Sequence, residues 1–190
     1  MVVVLLLVVG GLVSVYLKRS REMPSPKDGA TGPVEVSRTN LVLEAGHLRL
    51  AGSSTPFNGV MVEHHVDGTL RSRSSITNGV LNGLSQGWFT NGQMQVSENF
   101  KEGVSQGVRT KWYADGAKQS EAGIVDGKIH GTFRKWHPNG ALAEQAEFVA
   151  DKPEGISTAW FPSGYLKARV VMKDGKPIEQ TFWKDGEKKE

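Results

Sequence analysis

The chain has 190 residues, a hydrophobic content of 38% and a formal net charge of +3, which fits one globular domain with an appendage. It contains no cysteine, and this excludes disulfide bonds, thiolate metal sites and a cysteine nucleophile. The net charge is too small to indicate nucleic-acid binding, for which a clustered basic surface is expected.

The first segment, residues 1–17, is an almost continuous run of Val, Leu and Gly without a charged side chain. As a helix it would be about 25 Å long, at the short end of what spans a bilayer. A buried core helix is one alternative, but an all-round apolar helix has no place in a thin β protein. A cleaved signal peptide is the other, but Lys18, Arg19 and Arg21 follow the apolar run rather than precede it.

We therefore predict an uncleaved single-pass transmembrane anchor over residues 1–17. The positive-inside rule then places the basic residues and the domain behind them in the cytoplasm. If residues 1–17 are instead a signal peptide, the domain is extracytoplasmic or secreted.

Residues 18–40 combine prolines and glycines with charged and hydroxyl side chains, which is the composition of a flexible linker. Residues 41–58 open with apolar alternation on both sides of Ala45-Gly46, which predicts a hairpin. Because the terminal units of repeat proteins have one face without a neighbour and are usually degenerate, we expect this hairpin to cap the repeats that follow.

Residues 59–178 consist of one 24-residue unit present five times, at 59–82, 83–106, 107–130, 131–154 and 155–178. The first glycine series is Gly59, Gly83, Gly107, Gly131 and Gly155, and the second is Gly68, Gly92, Gly116, Gly140 and Gly164. The third is Gly79, Gly103, Gly127 and Gly175, with Asp151 in place of one glycine. The tryptophan row keeps the same step: His64, Trp88, Trp112, Trp136 and Trp160. Four series in phase indicate a repeat protein.

The residues before the second glycine series predict a three-residue hairpin loop. Pro138 and Pro162 argue against a two-residue type I′ turn, because proline holds φ near −65°. The three-residue loop pairs Trp88 with Met94, so that large apolar residues oppose each other. The second connection, such as the one at Glu102, is predicted to form the same loop, which would keep side-chain parity constant along the repeats.

This register predicts one packed face that carries the tryptophan row together with two apolar rows. The apolar rows are Ile76, Phe100, Ile124, Phe148 and Met172, and Val60, Leu84, Val108 and Ile156. The opposite face is predicted to carry a polar row and a ring row. The polar row is Arg73, Ser97, Glu121, Gln145 and Arg169, and the ring row is His65, Phe89, Tyr113, His137 and Phe161. Aromatic residues at regularly spaced exposed positions are typical interface anchors, so the ring row is the predicted partner surface.

Residues 179–190 depart from the period and are predicted to form a C-terminal cap with a charged tail. The predicted fold is therefore all-β, an elongated single-layer antiparallel β-meander of 24-residue hairpin repeats preceded by one N-terminal transmembrane helix.

The unit reads Gly, four residues, Trp, an aromatic, any residue, Asp or Asn, then Gly, and it ends in Asp-Gly-Lys-Ile-His-Gly at residues 126–131. It resembles the MORN repeat, and more closely the bacterial MORN variant labelled as the YwqK-type antitoxin family. That family has a Pro-Phe-Thr-Gly motif before its first repeat, and residues 56–59 read Pro-Phe-Asn-Gly here. The resemblance covers roughly residues 41–186 and implies a protein that binds and neutralises a toxin. His64, Asp151 and the membrane anchor depart from the family pattern.

Two Gly-x-Ser-x-Gly motifs, centred on Ser85 and Ser105, match a nucleophile elbow, which requires a strand, a strained turn and a helix. They lie at different phases of the repeat, so a hydrolase is only a distant alternative. The histidines have no metal-ligand spacing and no phosphate-binding loop is present, so no metal, cofactor or small-molecule substrate is expected.

The sequence thus favours a non-enzymatic, membrane-anchored scaffold that binds a protein partner, with the antitoxin of a toxin–antitoxin system as one version. The alternative is an envelope-structural or phospholipid-proximal spacer, in which the anchor matters most.

Overall fold

A computed structural model of the chain describes residues 32–187. The predicted transmembrane helix over residues 1–17 therefore lies outside the described residues. Within residues 32–187, no helix has the length and apolarity needed to cross a bilayer.

The described residues are almost wholly β-structure. The strands are β1 (Glu35–Ser37), β2 (Leu41–Glu44), β3 (His47–Leu50), β4 (Gly59–His64), β5 (Leu70–Thr77), β6 (Val80–Trp88), β7 (Met94–Lys101), β8 (Val104–Trp112), β9 (Lys118–Val125), β10 (Lys128–Trp136), β11 (Leu142–Val149), β12 (Lys152–Trp160), β13 (Leu166–Lys173) and β14 (Lys176–Phe182). A single turn of 3-10 helix spans Arg38–Asn40. The predicted all-β class is confirmed.

Strands β4 to β14 pair in sequence order as one long antiparallel meander, as predicted, within a twelve-stranded sheet. Strand β1 adds to the outer edge of β4 in parallel, and Val60 N donates to Val34 O at 2.8 Å. Residues 35–40, which were expected to be linker, therefore form a strand and a helical turn, because β1 satisfies the free edge of β4. Strands β2 and β3 form a separate hairpin.

The loop that follows each member of the tryptophan row has the predicted three-residue form. Trp88 pairs with Met94, Phe89 N donates to Gln93 O at 2.9 Å, and Gly92 N donates to Phe89 O at 3.0 Å. Gly92 has φ of 81°, the left-handed conformation expected of the glycine in this loop. The same two bonds recur in the other four repeats.

The prediction for the second connection was wrong, because this connection is a two-residue turn. Lys101 pairs directly with Val104, and the two residues between them have positive φ, 49° at Glu102 and 82° at Gly103. Positive φ at both central residues defines a type I′ turn, whose twist matches that of the flanking strands. No proline stands in these connections to prevent it.

In the second to fifth repeats, the glycine of the first series marks a bulge inside the first strand of the repeat. Between β7 and β8, Ser97 pairs with Thr110 and Asn99 pairs with Gln106, so three residues of β8 face one residue of β7. Gly107 lies in this bulge with φ of 85°. Every glycine of the first series has positive φ, which is why a residue without Cβ recurs there.

A second irregularity follows each three-residue loop and decides which side chains share a face. Trp88 pairs with Met94 but Gly87 pairs with Val96, so Gln95 is an extra residue and the alternation along β7 reverses. The type I′ turn reverses it once more. The tryptophan row therefore stays on one face along the repeats, as predicted, and we call this the tryptophan face.

The predicted face was wrong for two of the other rows, because the extra residue at each loop was not foreseen, whereas the row of Val60, Leu84, Val108 and Ile156 lies on the tryptophan face as predicted. The row of Ile76, Phe100, Ile124, Phe148 and Met172 lies on the opposite face, which we call the core face. The predicted polar row lies on the tryptophan face. Ile76 and Ile124 are each only 2% exposed, whereas the tryptophans are half-buried, so the core face is the packed one.

The N-terminal hairpin covers the core face at the first repeat. Leu41, Phe57 and Ile76 form a buried cluster there. Leu48 N donates to Gly79 O, the carbonyl of the first type I′ turn, at 2.8 Å. The hairpin is thus held to the first repeat by both apolar packing and main-chain hydrogen bonds.

Candidate interaction surface

The ring row lies on the core-face side of the hairpin tips, and the structure brings two of its members together. Phe89 and Tyr113 line one open groove of about 680 Å³, together with Val96 and Lys111. The other members of the row, His65, His137 and Phe161, are half-buried and do not line this groove.

Three members of the ring row connect consecutive repeats. His65 Nε2 lies 3.0 Å from Trp88 O, and His137 Nε2 lies 2.9 Å from Trp160 O. Tyr113 Oη donates to the carbonyl oxygen of Trp136 at 2.8 Å. These ring positions therefore have a structural function, which the aromatic spacing alone did not reveal.

Asparagines at the hairpin tips supply further connections. Asn91 Nδ2 donates to Ala114 O at 2.6 Å, and Asn139 Nδ2 donates to Pro162 O at 2.7 Å. Together with the three ring bonds, they give each of the four junctions between consecutive repeats at least one side-chain hydrogen bond. The sequence signal was an Asn or a polar ring at one of two positions of the 24-residue unit in each of the first four repeats.

One tip residue has a shifted pKa. Asp67 Oδ1 accepts hydrogen bonds from the Thr69 hydroxyl at 2.6 Å and from Thr69 N at 2.9 Å. The hydroxyl contact, followed by the backbone one, holds the pKa of Asp67 below its usual value, because both bonds favour the charged carboxylate.

The tryptophan face is partly screened by cations. Lys118 Nζ lies 5.3 Å from the ring centroid of Trp136 and forms an ion pair with Glu121 at 2.8 Å. Farther along the same face, Trp160 and Arg169 line a second open groove of about 640 Å³.

The exposed large apolar side chains of the central strands lie on the tryptophan face. Within the described strands β6 to β12, the large apolar residues that are exposed are Leu84, Val104, Val108, Val125, Val149 and Ile156. Leu84, Val108 and Ile156 lie on the tryptophan face, as predicted, but the prediction that they are packed was wrong because the core face is the packed one.

Four of these residues surround one glutamine, and we call them the apolar patch. Val104 and Val108 flank Gln106 on β8, and Val125 on β9 follows Ile124, which pairs with Gly107. Leu84 lies two strands away on β6, in line with Gln106, because Asn99 of β7 pairs with both residues. The patch residues are 41–54% exposed in this structure.

The two serines of the Gly-x-Ser-x-Gly motifs lie within strands β6 and β8 and not at strand-to-helix turns. Ser85 Oγ is 2.7 Å from Ser74 Oγ, and Ser105 Oγ donates to Glu98. Glu98 also accepts from Arg109 Nε at 2.7 Å. In residues 32–187, no group of three or more His, Cys, Asp or Glu side chains could hold a metal ion.

Two segments of the chain, residues 81–102 and 129–150, match the family model for the MORN repeat variant. The chain carries MORN-variant repeats. Each matched segment covers one hairpin, with its tryptophan, its three-residue loop and the beginning of the next type I′ turn. A protein-binding scaffold is a function that MORN-variant repeats fit.

The other comparisons add little to the MORN-variant match. Comparison with curated proteins gave no match. Among solved structures, the chain is similar to a crystal structure of a mutant of S. aureus TarM in complex with fondaparinux, alpha-GlcNAc-glycerol and UDP, with 15% identity and a TM-score of 0.34. That alignment covers 51% of this chain and 19% of the other, and a TM-score of this size does not indicate a common fold.

Proposed function

We propose that this protein is a non-enzymatic scaffold whose MORN-variant repeats bind a protein partner through the apolar patch. The observation that carries the proposal is the exposure of Leu84, Val104, Val108 and Val125 on one face of the sheet. Contiguous exposed apolar residues rimmed by polar ones mark interaction sites on soluble domains.

The rim of the patch favours a protein over other partners. Lys101 pairs with Val104 and Lys128 pairs with Val125, so cations border the apolar centre. Asp126 lies at the same rim and accepts a hydrogen bond from Gln106 Nε2 at 2.7 Å. An apolar centre with a rim of mixed charge is the usual anatomy of a protein–protein interface.

The ring row provides a second surface for the same function. Its supporting feature is the groove at Phe89 and Tyr113, which Trp112 also lines. Three members of the row form contacts between repeats. We therefore propose the apolar patch as the binding surface and test the ring row as the alternative surface.

More specifically, we propose that the partner is a toxin. We also propose that residues 1–17 anchor the scaffold in a membrane, with the repeats in the cytoplasm. The toxin rests on the resemblance to the YwqK-type antitoxin family. The membrane anchor rests on the uncharged apolar run and on the basic residues that follow it.

The binding surface is tested with the full chain and a partner purified after affinity capture. Val104→Ser combined with Val108→Ser should weaken binding about tenfold or more, equivalent to about 1.4 kcal/mol. The melting temperature should change little, because both side chains are already half-exposed. Binding is measured by titration calorimetry, and Val66→Ser, at a fully exposed loop position, is the matched control.

Phe89→Ser combined with Tyr113→Ser is compared in the same titration. Loss of binding in this variant alone, with the fold intact, would move the interface to the ring row. Unchanged binding in both double variants would reject the proposal.

The anchor is tested by fractionation. The full chain should stay with membranes after a high-salt wash, because burial of apolar residues is not screened by ions. A chain without residues 1–17 should appear in the soluble fraction. Protease added outside intact cells should spare the repeats, and digestion there would reverse the proposed orientation.

A further inference from the structure

We propose that two copies of this chain associate through strand β14, by antiparallel pairing of β14 with β14 of the second copy around Gln180. Strand β14 is the last strand of the twelve-stranded sheet, and all seven of its residues are exposed. This self-association goes beyond the proposed binding of a different protein at the apolar patch.

The two edges of the sheet differ. At the N-terminal edge, β1 covers β4 and Glu35 pairs with Arg73 at 2.6 Å. At the other edge, β14 pairs with β13 on its inner side, and no strand among the described residues lies on its outer side. An uncovered strand edge presents unpaired N–H and C=O groups to another chain.

The hydrogen bonds to β13 show which groups of β14 point outward. Trp183 N donates to Lys167 O at 3.0 Å, and Thr181 and Glu179 lie at the same phase of the ladder. Because antiparallel strands alternate between bonded and non-bonded pairs, the intervening Gln180 and Phe182 direct their N–H and C=O groups away from β13.

The outward segment is its own complement. In an antiparallel pair centred on Gln180, Gln180 faces Gln180 of the second copy, and Phe182 faces Ile178 of the second copy. Ile178 and Phe182 are each 65% exposed in this structure, which is the highest exposure of any large apolar residue in the strands. Two symmetric Ile–Phe contacts would cover both, and such cross-strand pairs stabilise a sheet.

The rest of β14 limits where pairing occurs. Lys176 and Pro177 stand at the turn end of the strand, and charged residues and proline discourage edge pairing. Pairing is thereby confined to residues 178–182, the segment in which the apolar residues are symmetric about Gln180. A second copy of the chain has the matching sequence in the antiparallel direction, so we infer that the partner of β14 is a second copy.

The absence of cysteine from the chain allows a register-specific test. Gln180→Cys in the full chain, kept in its membranes and treated with a mild oxidant, should form a disulfide-linked dimer. Directly paired residues in an antiparallel ladder have Cα atoms about 5.5 Å apart, within the range that a disulfide spans. The dimer should form more than about tenfold faster than with Thr90→Cys, because pairing raises the effective concentration of the thiols.

The register is checked with two further variants. Ile178→Cys alone should not form a dimer quickly, whereas an equal mixture of Ile178→Cys and Phe182→Cys chains of different tag size should form the mixed dimer. Adding Phe182→Ser to Gln180→Cys should reduce dimer formation to the rate of Thr90→Cys.

Equal rates for Gln180→Cys and Thr90→Cys would overturn the proposal, and so would fast linking of Ile178→Cys to itself. Titration of the protein partner with the Phe182→Ser chain should give unchanged affinity per chain, so the two proposals fail independently.

Discussion

Asp151 stands where the other repeats have a glycine of the third series. Its side chain forms a hydrogen bond that compensates for the conformational freedom of the missing glycine. It holds φ of 69°, a conformation that side chains rarely adopt. Its carboxylate accepts a hydrogen bond from Ile129 N at 2.7 Å, while its own N–H donates to Ile129 O at 2.9 Å. The carboxylate thus adds a bond to the preceding repeat that offsets the strained backbone.

We predict different outcomes for two substitutions at Asp151. Asp151→Ala keeps the strained backbone and loses the carboxylate bond, so the free energy of unfolding should fall by about 1 kcal/mol. Asp151→Gly also loses the bond, but it removes a left-handed cost of about 1–2 kcal/mol, so stability should change little. Urea unfolding of both chains measures the difference. Equal stability of the two variants would show that the left-handed backbone at residue 151 has no cost, and an Asp151→Ala chain as stable as the parent would show that the bond to Ile129 contributes nothing.

Tyr113 allows a single hydroxyl to be removed from a junction between repeats. Tyr113→Phe deletes the hydrogen bond to Trp136 O but keeps the ring, so unfolding should require about 1 kcal/mol less free energy. The matched change is Phe89→Tyr, which places a hydroxyl at the equivalent position one repeat earlier and should be stabilising or neutral. Loss of stability from both changes would contradict the assigned function of the hydroxyl.

Asp67 makes one part of the stability depend on pH. The folded pKa of Asp67 is lowered, chiefly by the Thr69 hydroxyl, so its contribution is present above the unfolded pKa and is lost as pH falls through the folded pKa. Thr69→Ala should raise the pKa of Asp67 toward its ordinary value, although the backbone bond remains. Carbon-13 NMR titration of the carboxyl group checks this, and an unchanged pKa would mean that the hydroxyl is not the main cause.

At the scale of elements, the two ends of each hairpin use different turns for a chemical reason. The first loop contains proline in two repeats and needs one left-handed residue, which the glycine supplies. The second turn needs two left-handed residues, and its first position holds Asn or Asp in three of five repeats, at Asn78, Asp126 and Asp174. These residue types tolerate the left-handed region best after glycine.

Alanine substitutions at two glycines of the third series distinguish the free-energy cost of a left-handed backbone from the cost of a steric clash. Gly79 and Gly103 both have left-handed φ, 73° and 82°. A Cβ at Gly103 would meet nothing closer than Val80 Cβ at 4.0 Å, so Gly103→Ala should cost about 1–2 kcal/mol. A Cβ at Gly79 would lie 2.7 Å from Leu48 O, so Gly79→Ala should cost clearly more.

Thermal or urea unfolding of the two alanine variants measures this difference. The extra loss at Gly79 should disappear in a chain that lacks the N-terminal hairpin, because the clashing atom, Leu48 O, belongs to that hairpin. Equal losses in the complete chain would mean that the hairpin does not pack on the first repeat as described.

At the scale of the whole described domain, stability depends on contacts between neighbouring repeats. Most of the buried apolar side chains of the repeats, such as Ile76 and Ile124, lie on the core face, and the tryptophans on the other face are only half-buried. Each repeat is therefore held mainly by its two neighbours, which is the behaviour expected of a linear array.

The tryptophan row should accordingly contribute less than a buried core residue. Trp136→Ala should lower the free energy of unfolding by about 2 kcal/mol, below the 3–5 kcal/mol typical of fully buried aromatic residues. Trp160→Ala, nearer the C-terminal end, should lower it less, because end repeats have fewer neighbours. Chemical unfolding followed by circular dichroism measures both. A larger loss at Trp160 would contradict the nearest-neighbour account.

The candidate surface was only partly predictable. The spacing of the ring row identified residues that recur at one position of the repeat. It did not reveal that the polar atoms of His65, Tyr113 and His137 form hydrogen bonds with the next repeat. The apolar patch was missed because Leu84 and Val108 were assigned to the packed face. In both cases the deciding fact is a contact between repeats, which residue spacing does not contain.

The period of the array, the three-residue loop and the pairing of Trp88 with Met94 could all be predicted from the residues alone. These features depend on local chemistry, since proline and glycine restrict φ within a few residues of the turn. The division of side chains between the two faces was decided only in the tertiary structure. It depends on the extra residue at Gln95 and on the type I′ turn at Glu102, and the register of both is selected by hydrogen bonds to the neighbouring strands.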